Sequence, residues 1–327
     1  PTTMGPDRTD ADSGAAATQR LEELIDGAIL PGSDIYTIDE VARLAGADVD
    51  TTRRLWRALG FADPGPDDRM GGELDVEVLK LVFDQDLTQL GVDNLIQQTR
   101  IMSGAISRIT ELWVDQMRVA LDSDDPDLVE LACEFTGDQD RTMWMLGYMH
   151  RRLLAAGLRR ELGNRSSGGG TEQSAVFADL VGFTSLTERV GPLELSRLIG
   201  SFEAIAHDTV AEHGGRLVKT IGDEVLYAAD DPAVAVAIAV DLMHRAASAG
   251  LPPLRAGMDH GPAVWFEGDL FGSTVNRAAR LVAEAPAGAI AASQVVRGRA
   301  PTHDWSELGM RHLKGVDLLI EALARIN

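Results

Sequence analysis

Two aspartates in this chain close apolar, strand-like runs. Asp179 lies in Phe177-Ala178-Asp179-Leu180-Val181-Gly182-Phe183-Thr184, and Asp223 ends Lys219-Thr220-Ile221-Gly222-Asp223. Brought together on adjacent strands, two such carboxylates make a hard, oxygen-rich site suited to Mg²⁺ or Mn²⁺ beside a phosphate. Just after the first aspartate, Gly182, Phe183 and Thr184 open a helix, and free N–H groups at a helix start attract phosphate. No Walker-type loop is present. The combination points to nucleotide chemistry. Either aspartate alone reads as a cap or turn residue; together they carry the metal reading.

More motifs follow in order. Lys219 stands four residues before Asp223. Asp269 lies in Gly268-Asp269-Leu270-Phe271-Gly272, then come Asn276-Arg277-Ala278-Ala279-Arg280 and Leu313-Lys314-Gly315. With these, the stretch from Glu172 to Asn327 resembles the catalytic domain of class III nucleotidyl cyclases.

The resemblance implies an adenylyl cyclase. In that reaction the ribose 3′-oxygen of ATP attacks the α-phosphorus, pyrophosphate leaves, and 3′,5′-cyclic AMP remains. Asp179 and Asp223, with Leu180 in the same set, are the implied ligands of two metal ions, Mg²⁺ or Mn²⁺, per site. Lys219 and Asp269 resemble the purine-selecting pair of the family. A lysine donor and an aspartate acceptor match N1 and the 6-amino group of adenine, whereas guanine presents the opposite polarity. The plainer alternative for this pair is a surface salt bridge. Asn276 and Arg280 share a helix face at i, i+4. The resemblance makes Asn276 orient the ribose and Arg280 stabilise charge on the α-phosphoryl group, a task suited to guanidinium. Arg277 is expected to point elsewhere and make a surface contact. Lys314 resembles the lysine that holds the terminal phosphates. Gly182, Phe183 and Thr184 complete the substrate set.

In the family the metal ligands and the purine and transition-state groups come from different cyclase domains. This chain carries each set once, so the reading implies a homodimer with two composite sites at its interface.

The elements that must position these residues alternate. Ser174–Ala178, Arg216–Thr220, Val225–Ala229 and Leu254–Asp259 read as strands, Leu193–Glu212 and Ala233–Ala249 as helices, and Ile221 to Glu224 as a hairpin turn. The βααββαβ order resembles a ferredoxin-like palm, an α+β fold with an antiparallel sheet.

Upstream the pattern is all-α. The expected organisation is a flexible tail over 1–14, a helical regulatory domain over 15–162, a linker over 163–171 and the cyclase domain over 172–327. Thr37 and Glu40 make a capping-box pattern, Gly46 a turn, and Asp50 or Thr51 the cap of a second helix ending at Gly60. This helix–turn–helix, down to Arg54, Trp56 and Leu59-Gly60-Phe61, resembles the start of MerR-type regulators. Asp34 to Arg69 nevertheless holds eight acidic and five basic residues, the wrong balance for a DNA-reading surface. A helical module used for protein contacts is the preferred reading.

A helical module joined to a cyclase resembles two-domain actinobacterial cyclases, some of which respond to pH. The resemblance implies regulation, with autoinhibition by the N-terminal domain. The signal is left open between protons, through His150, His207 or His213, and a hydrophobic ligand at Met143, Trp144, Met145, Leu146 and Met149. That stripe also reads as packing or a dimer seam.

Bulk properties narrow the partners. A net charge of −21 over 327 residues argues against nucleic acid and anionic membrane. The single Cys133 excludes an internal disulfide framework and reads as a buried thiol. No run reaches the ~20 apolar residues of a membrane span, and the N-terminus lacks a signal peptide's pattern. A cytoplasmic enzyme is expected. The alternatives are a nucleotide-sensing module without turnover and a DNA-binding regulator.

Overall fold

The computed structural model describes residues 19–30, 32, 35–83, 91–123, 125–166, 172–300, 305–307, 310–313 and 316–325. The chain divides into two compact units, Pro1–Gly157 and Leu158–Asn327.

In the first unit, residues 19–24 are helical and pass into a π-helical turn, Ile25–Ile29. Strand β1 (Tyr36–Thr37) leads into α1 (Ile38–Ala45) through the expected capping box. Thr37 accepts from the Glu40 N–H, and Glu40 accepts from the Thr37 N–H. Gly46, left-handed at φ 71°, ends α1. Helix α2 (Val49–Ala58) starts earlier than expected. Asp48, not Asp50 or Thr51, caps it by accepting from the Thr51 N–H at 2.8 Å. Strand β2 (Arg69–Gly71) pairs antiparallel with β1, and α3 (Glu73–Val82) follows. Val41, Leu55, Ala58, Val76, Leu79 and Ile96 form the small core here. The arginines of α2 make no basic footprint, because each meets an acid: Arg53 with Asp39, Arg54 with Asp93, Arg57 with Asp63.

Helices α4 (Val92–Leu121), α5 (Pro126–Gly137) and α6 (Gln139–Ser166) complete this run. Cys133 is buried, as expected, and burial pushes its thiol pKa up. Two expectations change. Helix α6 runs on to Ser166, so the first part of the expected linker is helical, and residues 167–171 lie outside the described residues. Met143, Trp144, Met145 and Met149 are exposed, so among the described residues most of the stripe does not pack in the core of the first unit.

The second unit begins with β3 (Glu172–Leu180), α7 (Phe183–Thr187), α8 (Pro192–Glu212), β4 (Arg216–Ile221), β5 (Glu224–Ala229), α9 (Pro232–Ser248) and β6 (Leu254–Pro262). This is the expected βααββαβ order. It continues with the hairpin β7 (Val264–Phe266) and β8 (Asp269–Phe271), α10 (Ser273–Glu284), β9 (Ala289–Ser293) and α11 (Gln294–Arg299). Strands β10 (Trp305–Ser306), β11 (Met310–Leu313) and β12 (Val316–Arg325) close the unit. The main sheet runs β10-β12-β9-β6-β3-β5-β4, with β11 paired to β12. It is mixed rather than antiparallel throughout, because β6 and β9 pair in parallel.

Strand alternation sorts the core into two layers. On one face Val176, Ala178, Val225 and Tyr227 pack with Phe202, Ala206, Ile238 and Leu242 of α8 and α9. On the other, Ala175, Phe177, Leu226 and Ala228 pack with Leu270 and with Val275, Ala278 and Val282 of α10. Helix α10 comes unusually close. A Cβ at Gly257 of β6 would lie 2.0 Å from the Val282 nitrogen and 2.6 Å from the Ala278 carbonyl oxygen.

Candidate active site

Asp179 is the penultimate residue of β3, an interior strand of the main sheet. Its cross-strand partners are Glu224 on β5 and Arg255 on β6. Residues 175, 177 and 179 share a face, so Asp179 points to the α10 side of the sheet. Arg255 donates two bonds to one carboxylate oxygen, Nε at 2.8 Å and Nη2 at 2.6 Å to Oδ2, which leaves Oδ1 outside that pair. Asp223 sits in the β4–β5 turn after Gly222, which is left-handed at φ 64°. The Leu180 N–H donates to the Asp223 carbonyl at 3.1 Å, and this bond holds the turn beside the end of β3.

The result is a crowd of carboxyls. Burial, and then the Asp179 carboxylate, which also shares a hydrogen bond, hold Asp223 above the ordinary carboxylate range. Burial first, then Asp179 and Asp223, push Glu224 up to about 7. Excess negative charge in a partly desolvated spot, opposed by one arginine, is a donor set that a hard divalent cation fits. Among the described residues no group of three or more His, Cys, Asp or Glu side chains could hold a metal by itself. The remaining oxygens must come from main chain, water and a phosphate ligand. Leu180, with its side chain buried, can offer only its backbone carbonyl.

Gly182 is left-handed at φ 80° and precedes the single-turn helix α7, as expected for Gly182, Phe183 and Thr184.

Lys219 and Asp269 meet directly. Lys219 Nζ lies 2.5 Å from Asp269 Oδ2, and the Leu270 N–H donates to Oδ1 at 2.8 Å. Burial is the largest single influence and pushes the Asp269 carboxyl up, but the Lys219 hydrogen bond, the Leu270 N–H and the lysine charge together outweigh it and keep the carboxyl below its ordinary range. A register shift makes this meeting possible. Leu217 pairs with Tyr227, yet Lys219 pairs with Leu226, so Val218 is the extra residue of a β-bulge. Leu217 therefore faces α8 and α9, while Lys219 faces the side that carries Asp269.

Helix α10 carries Asn276 and Arg280 at i, i+4. Asn276 is exposed. Arg280 Nη1 is buried and has no hydrogen-bond partner among the described residues. A buried guanidinium nitrogen without a partner is costly unless an anion completes it. Arg277 departs from expectation. It is not a surface contact but pairs with Asp259, which is 2% exposed, through Nε–Oδ2 at 2.6 Å. That ion pair fastens α10 to β6. Lys314 lies outside the described residues.

Sequence reasoning missed Arg255, Glu224, Arg277's role and the bulge at Val218. Arg255 was findable only through strand register, since nothing local marks it.

The second unit thus joins the expected βααββαβ run to a parallel β6–β9 pair in one mixed sheet. The adenylate and guanylate cyclase catalytic domain profile matches residues 170–317. An adenylate cyclase of Streptomyces coelicolor is 35% identical over 289 residues, 85% of this chain and 75% of that protein. One of Streptomyces griseus is 36% identical over 299 residues, 86% and 73% of the two chains. A pH-sensitive adenylate cyclase of Mycobacterium tuberculosis is 30% identical over 302 residues, 85% and 74%. Alignments of this length extend beyond the catalytic unit into the helical N-terminal one. The chain belongs to the class III adenylyl cyclases, with an N-terminal helical extension.

Proposed function

We propose that the chain converts ATP to 3′,5′-cyclic AMP and pyrophosphate at the interface of a homodimer. The observation that carries this reading is the hydrogen-bonded carboxyl pair of Asp179, near the end of β3, and Asp223, in the β4–β5 turn, in a chain of this family. Asp179, Asp223 and the Leu180 carbonyl would hold a divalent metal, which when bound would supply Lewis acidity toward the 3′-hydroxyl and the triphosphate; the N–H groups at Phe183 and Thr184 meet phosphate. Lys219 donates to adenine N1 and Asp269 accepts from the 6-amino group, so their mutual ion pair loosens as the base enters. Asn276 orients the ribose. Arg280 stabilises charge on the α-phosphoryl group as the 3′-O–P bond forms and the bond to the leaving pyrophosphate breaks. The partnerless Nη1 supports that role. Lys314 binds the terminal phosphates.

The homodimer follows from the family's division of labour. Exposed Ile221, Val264, Phe266 and Phe271, close in sequence to Asp223 and Asp269, are apolar surface for a second copy to cover.

The first test is cyclic AMP formation from ATP with Mn²⁺ and with Mg²⁺, for the wild type beside Asp223→Ala. Product from the wild type alone supports the reading; equal product from both sinks it. The dimer is tested by mixing Asp223→Ala with Arg280→Ala. Each is inactive, and their heterodimer regains one intact site, so activity returns on mixing. No recovery despite heterodimer formation overturns the composite site.

The N-terminal unit is the regulatory half of this reading: it holds turnover low, and pH relieves the restraint. The name of the mycobacterial relative supports a proton signal. Comparing the full chain with residues 172–327 between about pH 5.5 and about pH 8 decides it. Identical profiles would end the idea.

A further inference from the structure

The hairpin β7–β8 stands apart from the main sheet, and its strands are three residues long. It carries Asp269, whose position must be held while a base is read. Its inner face is set by register. Trp265 pairs with Leu270, which is 2% exposed and belongs to the α10-side core. Among the described residues, two polar side-chain links join the hairpin to β4. One is Lys219–Asp269 itself. The other is Arg216, whose guanidinium carbon lies 3.5 Å from the centroid of the Trp265 ring.

These links differ in what happens when the site fills. The first is made of the reading groups, and adenine draws each of them onto its own edge. The second uses neither reading group, so it survives. Both Arg216 and Trp265 are half-buried, where a cation–π contact is screened less than at the open surface. The bulge at Val218 is again decisive. Arg216 pairs with Ala228 and Lys219 with Leu226, both on the α10-side face. Residues three apart on a regular strand would point to opposite faces.

We infer that Arg216 and Trp265 are positioning residues that fix the hairpin bearing Asp269 against the strand bearing Lys219, and so set the choice of ATP over GTP. This rests on the purine-reading role given to Lys219 and Asp269 above. Neither residue touches substrate in this account; they keep the spacing of the two that do.

The experiment measures kcat and KM for ATP and for GTP with Mn²⁺ in full-length Trp265→Leu, Trp265→Phe and Arg216→Gln. A cation–π contact of this kind is worth roughly a two- to tenfold factor in an equilibrium. Trp265→Leu and Arg216→Gln are therefore expected to lower the ATP-to-GTP ratio of kcat/KM by about that factor. Trp265→Phe, which keeps a ring face, should retain most of it. Equal loss with both nucleotides, or an unchanged ratio, overturns the inference. If Trp265→Leu does not fold, Arg216→Gln decides alone. Lys219→Ala and Asp269→Ala are run alongside. If these leave the ratio intact, the purine-reading role itself fails. If they collapse it while the Arg216 and Trp265 variants do not, only the positioning role fails.

Discussion

Replacing Gly257 with alanine should disable catalysis while leaving the metal site whole. The three atoms nearest the added Cβ would all be backbone: the Val282 nitrogen at 2.0 Å, its Cα at 2.5 Å and the Ala278 carbonyl oxygen at 2.6 Å. None of these can rotate away as a flexible side chain could. Ordinary contact between such atoms lies near 3.5 Å, so α10 must retreat from β6 by about 1 Å or more. Overpacking of this kind costs roughly 1–3 kcal/mol, which a unit with two core layers can survive. Catalysis is less forgiving, because Asn276 and Arg280 ride on the displaced helix. A misplacement of about 1 Å costs on the order of 100-fold in rate. The expected result is a kcat about 100-fold lower, with thermal unfolding still cooperative and Mn²⁺ affinity nearly unchanged. The assay is cyclic AMP formation at saturating ATP and Mn²⁺, paired with calorimetry and Mn²⁺ titration. A folded Gly257→Ala protein with kcat within about twofold of wild type would refute the reasoning, since Arg280 would not depend on where α10 sits.

Three further outcomes follow from the same geometry. Asp179→Asn and Asp223→Asn should each lower Mn²⁺-dependent turnover by roughly 10³-fold, matching several kcal/mol of lost charge stabilisation; retained turnover would remove the carboxyl pair from the chemistry. Glu224 has a folded pKa, about 7, above its ordinary 4.5, so the stability from keeping it protonated is fully present below about 4.5 and lost as pH rises through about 7. In metal-free protein Glu224→Gln should therefore gain on wild type across that window, by roughly 1–2 kcal/mol after solvent screening, and a pH-independent difference in Tm would contradict it. Arg277→Met strands a nearly fully buried Asp259 and should cost about 3 kcal/mol in urea unfolding, with much of that recovered in Arg277→Met/Asp259→Leu; a loss under about 1 kcal/mol would show that the pair does not fasten α10.

The parts of this molecule legible in sequence are those written in local pattern. The strand runs at 174–178 and 225–229 alternate between layers, and Ala233 to Met243 is apolar because α9 buries most of one side. The capping box at Thr37 and Glu40 is likewise local chemistry. What escaped depends on distant partners. Asp48 displaced Asp50 and Thr51 as a cap because several acids in one short stretch can cap equally well on paper. Arg277 looked like a surface residue because its partner, Asp259, lies on another element and is invisible to helical periodicity. The parallel β6–β9 pair needs α10 as its crossover and lies beyond the βααββαβ run that local periodicity marks.

The bulge at Val218 shows where motif and geometry part company. Lys219 and Asp223 can be read as a spaced pair without knowing any register, yet spacing alone misassigns the lysine. On an unbroken strand Lys219 would share the face of Leu217, packed toward α8 and α9, and its ammonium would be driven into an apolar layer. One extra residue opposite the Tyr227–Leu226 step reverses the parity of everything after it. Lys219 and Ile221 then turn to the α10 side, and the strand still arrives at the turn that presents Asp223 to Asp179. The inserted residue is a valine, well suited to a strand and packed against the α10-side core, so composition leaves no trace of it. Arg216 precedes the bulge and already faces that side over Trp265, so the inversion is what places Lys219 on the same face as Arg216. Deleting Val218 would leave this parity intact, because Lys219 would then follow Leu217 directly and still lie opposite Leu226 on the α10 side, with Arg216 unmoved opposite Ala228. The lysine reaches the wrong layer only if Val218 stays and the bulge is lost, so it is the irregular pairing, and not the valine side chain, that seats Lys219 beside Asp269.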